Sequence, residues 1–147
     1  LAMEASMTGH LVFGTLHTMN AMKTVDRVVE IFPANQQGQV RLTLADALRA
    51  VVSQTLFKRV DIKGRVAALE ILICTPAVRN LIREGKTYQI PSIMQTGKKF
   101  GMQTLDDAIF ELVEKKKISA EDAYMNCYEK GRFVKYLRNQ PSDFTEI

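Results

Sequence analysis

Apolar residues recur at helical spacing over much of this chain, and the pattern first appears after Asn20. Asn20 is a residue type that caps helices, and Pro33 ends the first pattern because proline cannot continue a helix. A longer helical pattern follows from Ala34 to about Lys58. The sequence therefore predicts two consecutive helices. The apolar stripe of the longer one consists of Leu44, Leu48, Val51, Val52 and Leu56.

Two other apolar runs are continuous rather than periodic, and both predict buried strands. The first, Leu11-Val12-Phe13 with Leu16, is flanked and interrupted by glycines that disfavour a helix. The second runs from Val66 to Cys74, after a turn predicted at residues 61–64. Strands buried on both faces belong to parallel sheets covered by helices.

Glu70 is the unusual residue of the second strand, because a buried carboxylate needs a partner or a raised pKa. A structural ion pair or a position at the end of the strand is one interpretation. A contact to a nucleotide pocket or a neighbouring subunit is the other.

The second half of the chain has the pattern of short helices. Thr75-Pro76 is a favourable helix start and Gly85 a favourable end. Further helices are predicted over residues 88–95, from Leu105 to the lysines at 115–117, and from Ser119 onward, with fraying from Pro141. We therefore expect an α/β protein with a few buried parallel strands followed by a mainly helical C-terminal region.

Composition and charge exclude only a few classes of function. The chain of 147 residues is 46% hydrophobic and 24% charged, as in an ordinary globular domain. Cys74 and Cys127 form no C-x-x-C pair, so we expect free thiols and no metal site. The net charge of +4 comes from lysine and arginine clusters. These are either solvated faces or a surface for an acidic partner or membrane leaflet. Nucleic acid is disfavoured because few aromatic residues interleave with them.

The string from Thr8 to Thr18 contains both histidines of the chain, His10 and His17. On an extended strand, seven residues separate them by roughly 23 Å and place them on opposite faces. A shared metal ion is therefore not expected. In open α/β sheets, ligands bind beyond the carboxyl ends of the strands, which favours His17 for a ligand contact and His10 for a structural or interface contact. The alternative is that both are core histidines.

Two further strings accompany Thr8–Thr18, at residues 77–84 and Gly101–Asp106. All three resemble the type II/type IV secretion ATPase superfamily and, within it, the PilT-type pilus retraction motors. The Thr8–Thr18 string resembles the histidine box, and Gly101–Asp106 is similar to a segment near the C-terminus of these motors. The resemblance covers roughly residues 2–123 and not the last two dozen. The third string resembles the AIRNLIRE motif with one Ile-to-Val change: Ala77, Val78, Arg79, Asn80, Leu81, Ile82, Arg83 and Glu84.

The resemblance implies the C-terminal part of a RecA-like P-loop ATPase domain. Residues 1–75 would belong to the ATPase core, and residues 76–147 would form a helical region with the AIRNLIRE-like motif. No G-x-x-x-x-G-K-[ST] string is present, and the Walker B strand would lie before Leu1. We therefore interpret the chain as a C-terminal fragment. ATP and Mg²⁺ would be bound by the full-length protein, and neither is expected to bind this fragment alone.

The implied function is a hexameric ATPase ring that powers type IV pilus retraction in twitching motility. Such a motor works in the cytoplasm, at the inner membrane, against a pilus platform protein. By the same resemblance His17 would sense the γ-phosphate or transmit its loss, with hydroxyl contacts from Thr15 and Thr18, and His10 would share the sensing or coupling role. Arg79 and Arg83 suit a carboxylate on another segment or subunit.

Two other functions stay open. A pilus-assembly or type II secretion ATPase is disfavoured by the missing cysteine pairs, which many of those proteins carry in this domain. A non-catalytic interaction module with the same fold is the second.

Overall fold

The computed structural model describes residues 1–139, which form eight α-helices and two β-strands. The frayed end predicted from Pro141 lies outside the described residues. In chain order the elements are α1 (Ala2–Met7), α2 (Ala21–Glu30), α3 (Ala34–Ala47), β1 (Ala50–Lys58), β2 (Arg65–Ile73), α4 (Pro76–Arg83), α5 (Ile90–Thr96), α6 (Leu105–Glu114), α7 (Ala120–Asn126) and α8 (Lys130–Phe133), with 3-10 turns at Thr87–Gln89, Gly97–Phe100 and Val134–Tyr136.

The predicted start and end of α2 are confirmed. The Asn20 side chain accepts a hydrogen bond from the Lys23 N–H at 2.8 Å, which satisfies one of the free donors of the first turn. The helix ends at Glu30, and Pro33 directly precedes α3. Local capping chemistry therefore fixes this part of the chain.

The predicted long helix to Lys58 is wrong beyond Ala47, because residues 50–58 form β1. Val51, Ser53 and Phe57 are buried, whereas Val52 and Leu56 are 60% and 52% exposed. Burial thus alternates with the period of two that a strand requires. Leu48, Val51 and Val52 happen also to fit a helical spacing, which is why the apolar pattern misled.

β1 and β2 pair with each other, and their six-residue connection requires an antiparallel hairpin, since a parallel pair needs a crossover of a dozen or more residues. The strand predicted from Val66 to Cys74 therefore corresponds to β2, and its predicted parallel pairing is wrong. The predicted turn at residues 61–64 is confirmed. Arg59 donates two hydrogen bonds to the Asp61 carboxylate there, and this contact lowers the pKa of Asp61.

The mainly helical second half is confirmed. Thr75 and Pro76 begin α4, and Gly85 follows it with a φ of +69°, a left-handed value that glycine adopts without strain. Thr104 caps α6, and Ser119 caps α7 by accepting from the Asp122 N–H at 3.1 Å.

The chain packs as two compact units, each with its own apolar core. The first contains Leu1–Ser53 and Glu70–Gln103, and the second contains Gln54–Leu69 with the described residues from 104 onward. Packing therefore divides the chain differently from the boundary after residue 75. That boundary separates an ATPase core from a helical region, and it stays a prediction. The largest fully buried side chains are Leu72, Ile82, Ile90, Val25, Val29 and Val78 in the first unit and Phe133 and Ile109 in the second.

Candidate functional site

The histidine-containing segment begins at a well-defined helix end. Gly9 follows α1 with a φ of +94°, its N–H bonds the Ser6 carbonyl at 3.2 Å, and the His10 N–H bonds the Ala5 carbonyl at 3.1 Å. This pair of hydrogen bonds is the Schellman arrangement that terminates helices at glycine. The His10 ring is exposed, and its Nδ1 lies 3.2 Å from the same Ala5 oxygen. The predicted structural contact of His10 is therefore present, although His10 is not a core residue.

The predicted buried strand over residues 11–16 is wrong. Within the described chain these residues join no sheet, and Leu11 and Phe13 are 80% and 88% exposed. A continuous apolar run forms a buried strand only where neighbouring strands and helices cover both faces. Because no strand forms here, the argument that His10 and His17 point to opposite faces of a strand no longer holds.

The segment is anchored again where α2 begins. Thr18 Oγ1 lies 2.6 Å from Thr24 Oγ1, and the Thr24 hydroxyl donates to the Asn20 carbonyl at 2.8 Å. Since the Thr24 proton is used in that bond, the Thr18 hydroxyl is the donor to Thr24. Residue 18 is thereby fixed to the first turns of α2.

Glu70 also acts at this helix start, from the neighbouring strand. It is 8% exposed, and its Oε1 accepts a hydrogen bond from the Ala21 N–H at 2.8 Å. Ala21 is fully buried and is the first residue of α2. A carboxylate is favourable here because the helix N-terminus carries a partial positive charge. This hydrogen bond is a structural contact, and Glu70 makes it from inside β2 rather than from the end of the strand.

His17 lies one residue before this anchored end, with its side chain exposed. Within residues 1–139 its imidazole makes no hydrogen bond or ion pair, so both ring nitrogens are accessible to a ligand. Thr15 is exposed as well, whereas Thr18 is half-buried and bonded to Thr24. The structure therefore leaves the His17 and Thr15 side chains exposed and gives the Thr18 hydroxyl a structural partner.

The AVRNLIRE string forms α4 as far as Arg83, with Glu84 as the C-cap residue, and its side chains divide into two faces. Val78 and Ile82 are fully buried in the first unit, and Leu81 is half-buried beside them. Ala77, on the same helix, is exposed. Asn80, Arg83 and Glu84 are exposed too, so α4 offers a polar face beyond what its packing needs.

Arg83 has the carboxylate partner that its residue type favours, on α3. One guanidinium nitrogen donates to Asp46 Oδ1 at 2.5 Å, and the other donates to Asn80 Oδ1 at 2.9 Å. Arg79 instead donates to the Cys74 carbonyl at 3.1 Å and so braces the start of its own helix. Asp46 was not among the candidates, because its pairing depends on how α3 packs against α4 and no local pattern encodes it.

Asp26 on α2 has a hydrogen-bond partner as well. The buried Thr87 hydroxyl donates to its Oδ1 at 2.7 Å and ties α2 to the turn that follows α4. Only the proximity in space reveals this contact, since the two residues lie 61 positions apart.

The two cysteines are buried free thiols, as expected. Burial raises the pKa of Cys74 to about 11, and burial also raises that of Cys127. In residues 1–139 no three His, Cys, Asp or Glu side chains are grouped in a way that would hold a metal ion. Nor does that part of the chain contain a helix long and apolar enough to cross a bilayer.

Comparison with known proteins identifies relatives in the superfamily that the sequence strings resemble. The family model of the type II/IV secretion system protein matches residues 1–125. The chain is 57% identical over 123 residues to the type IV pilus retraction ATPase PilT of Pseudomonas aeruginosa, and 56% identical over 123 residues to a twitching motility protein of Neisseria gonorrhoeae. These alignments cover 84% of this chain but only 36% and 33% of the relatives, so the chain spans about a third of their length.

The chain is also similar in structure to solved ATPases. The crystal structure of the pilus retraction motor PilT with bound ADP matches 89% of this chain and 36% of its own, with a TM-score of 0.78 and 44% identity. The Legionella pneumophila ATPase DotB matches 84% of this chain and 33% of its own, with a TM-score of 0.70 and 27% identity. The expected fold, part of an α/β ATPase domain, is thereby confirmed. On the family match and these identities together, the chain belongs to the type II/IV secretion system protein family.

Proposed function

We propose that the chain is the C-terminal part of a hexameric ATPase motor that powers type IV pilus retraction. The observation that carries the proposal is the 57% identity to a pilus retraction ATPase over 123 residues, which include the AVRNLIRE string on α4. The ADP in the related motor structure supports a nucleotide as ligand of the longer protein.

His17 is the residue through which this chain would contact the nucleotide. Its exposed imidazole can donate a hydrogen bond to the γ-phosphate of ATP and loses that partner once the phosphate leaves. Thr15 would add a hydroxyl contact. Thr18 would do so only by exchanging its present bond to Thr24. His10 would take a coupling role at the other end of the segment, where its ring contacts the end of α1.

The other parts of the motor would come from beyond this chain. Phosphoryl transfer requires Mg²⁺ and a lysine-bearing phosphate loop, and this sequence contains no G-x-x-x-x-G-K-[ST] string. The motor would be a ring of identical subunits in the cytoplasm, at the inner membrane, with the pilus platform protein as partner. The polar face of α4 would transmit force to a neighbouring subunit or to that partner, with Arg83 and Glu84 exchanging their present ion pairs with Asp46 and Lys86.

ATP hydrolysis by purified proteins tests the proposal. The 147-residue chain alone should hydrolyse no ATP, and the full-length protein should do so. In the full-length protein His17→Ala should lower kcat about tenfold to a hundredfold, the range expected for one hydrogen bond to a charged group. Affinity for ADP should stay within about twofold, because ADP lacks the γ-phosphate that the imidazole would bind.

The matched control is His10→Ala, which removes the other imidazole of the same segment. It should leave the catalytic rate closer to that of the wild type than His17→Ala does. Measurable ATPase activity of the chain alone, or normal turnover of the His17→Ala protein, would contradict the assignment.

A gene deletion in cells distinguishes a retraction motor from an assembly motor. A cell that lacks a retraction motor should have pili that extend and do not shorten, whereas a cell that lacks an assembly motor should have no pili. We expect the first phenotype when the gene for the full-length protein is deleted, and its restoration by the intact gene. Loss of pili would favour a pilus-assembly ATPase. A reading frame that begins at a start codon beside Leu1 would favour a stand-alone interaction module.

A further inference from the structure

We propose that Glu70 is a positioning residue for His17, acting through the first turn of α2. The proposal rests on the proposed role of His17 for its effect on catalysis, but the contact itself can be tested without nucleotide.

The first step is the contact between β2 and α2. The first backbone N–H groups of a helix have no partner inside the helix, and a buried one is costly to leave unsatisfied. The Ala21 N–H is such a group, because Ala21 is fully buried at the first position of α2. Glu70 reaches it from a position 49 residues further along the chain. The carboxylate therefore sets where α2 begins relative to β2.

The second step leads from α2 back to the histidine. Asn20 closes the first turn through the Lys23 N–H, and Thr18 bonds Thr24 one turn further on. His17 is adjacent to Thr18, so its backbone position is set by these contacts at the start of α2. The preceding side chains Leu11 and Phe13 are exposed and contribute little to holding it.

The third step concerns the chemistry of Glu70 itself. A buried carboxylate in a cleft is a candidate general base, but such a base must reach the proton that it removes. Glu70 Oε1 instead accepts from a backbone N–H on an element that leads to His17. Glu70 thus acts on the nucleotide indirectly, through the histidine.

Hydrogen exchange in the full-length protein without nucleotide tests the contact. Glu70→Ala removes the acceptor, so amide exchange over residues 18–24 should become about tenfold faster or more. Glu70→Gln keeps a carbonyl oxygen at the same reach and should stay within about threefold of wild type. Glu70→Asp withdraws the carboxylate by one methylene and should behave like Glu70→Ala, which keeps the test usable if the alanine variant does not fold.

Steady-state kinetics on the same proteins test the effect on His17. Glu70→Ala and Glu70→Asp should lower kcat about tenfold with ADP affinity within about twofold, and Glu70→Gln should largely restore kcat. The matched control is Glu30→Gln, which neutralises an exposed carboxylate at the other end of α2 and should change neither exchange nor turnover.

The outcomes separate this inference from the proposed function. Unchanged exchange over residues 18–24 in Glu70→Ala overturns the inference, whatever the ATPase activity. Faster exchange with normal kcat also overturns it if His17→Ala lowers kcat, because α2 would then move without affecting His17 chemistry. If His17→Ala is normal as well, the proposed role of His17 fails instead. An inactive wild-type protein would refute the proposed function instead, while the exchange data would still report the contact.

Discussion

Ile82→Ala on α4 should strongly destabilise the first packing unit, whereas Arg83→Ala on the next residue should not. Ile82 is fully buried in the core of that unit. Arg83 is exposed and pairs with Asp46, which is exposed as well. The two positions therefore separate the face of α4 that maintains the fold from the face that is available for function.

The magnitude follows from the atoms removed. Ile82→Ala deletes three carbon atoms, worth about 2.4 kcal/mol at about 0.8 kcal/mol each. The cavity left behind increases this loss of stability, and the better helix propensity of alanine reduces it by about 0.4 kcal/mol. We expect the free energy of unfolding to fall by about 3 kcal/mol, within the usual range of about 2–5 kcal/mol. For Arg83→Ala the loss should stay below about 1 kcal/mol, as for exposed ion pairs.

Urea unfolding of the full 147-residue chain measures both changes. Hydrogen exchange of peptides from α3 and α4 reports the unfolding of the first unit by itself. This is needed because a chain with two cores can unfold in two separate transitions. The urea midpoint of the Arg83→Ala protein should shift by no more than a loss of about 1 kcal/mol produces. An Ile82→Ala loss below about 1 kcal/mol would refute the burial argument, because so small a cost fits only an exposed site.

Four further substitutions or reactions probe other parts of the chain. Cys74 should react with thiol reagents only in strongly alkaline solution, because burial raises its pKa to about 11. Its thiol form is favoured by folding, so stability should fall as the pH rises from the ordinary thiol pKa, about 9, towards 11. Asp106→Ala should cost about 2–4 kcal/mol in thermal unfolding, because this buried carboxylate accepts two backbone N–H bonds at 2.9 and 2.7 Å. Gly97→Ala should cost about 1–3 kcal/mol, since the added methyl would lie 2.9 Å from Met102 Cγ. Phe13→Ala should change the stability of this chain by less than about 0.5 kcal/mol, whereas a buried strand there would lose about 3–5 kcal/mol.

Helix boundaries were predictable because their causes are local. Asn20 and Pro33 bound α2, and Thr75-Pro76 with Gly85 bound α4, each through backbone chemistry that needs no distant partner. The strand β1 was not predictable, because its apolar residues fit both a helical stripe and an alternating strand. Pairing with β2 decides between the two, and pairing is not a local property.

In the candidate site too, local features were predictable and contacts with distant residues were not. The histidine segment was found from its residues, but its strand conformation was inferred from an apolar run that has no sheet partner in the described chain. Glu70 was recognised as anomalous because carboxylates are rare inside strands. Its partner Ala21 was invisible to sequence reasoning, since an alanine contributes only its backbone N–H to the contact.

The partners of the internal carboxylates decide what chemistry this chain contributes. Glu70 accepts from a helix N-terminus, Asp106 from two backbone N–H groups and Asp26 from the Thr87 hydroxyl. Groups committed in this way hold elements together and are poorly placed to take a proton from a substrate. The exposed imidazole of His17 has no such commitment within residues 1–139. Under the proposed function this chain therefore detects the nucleotide and transmits its state, and the groups that hold Mg²⁺ and activate water come from other residues of the motor. Substitutions here should accordingly change the rate of turnover and its coupling to movement more than the affinity for ADP.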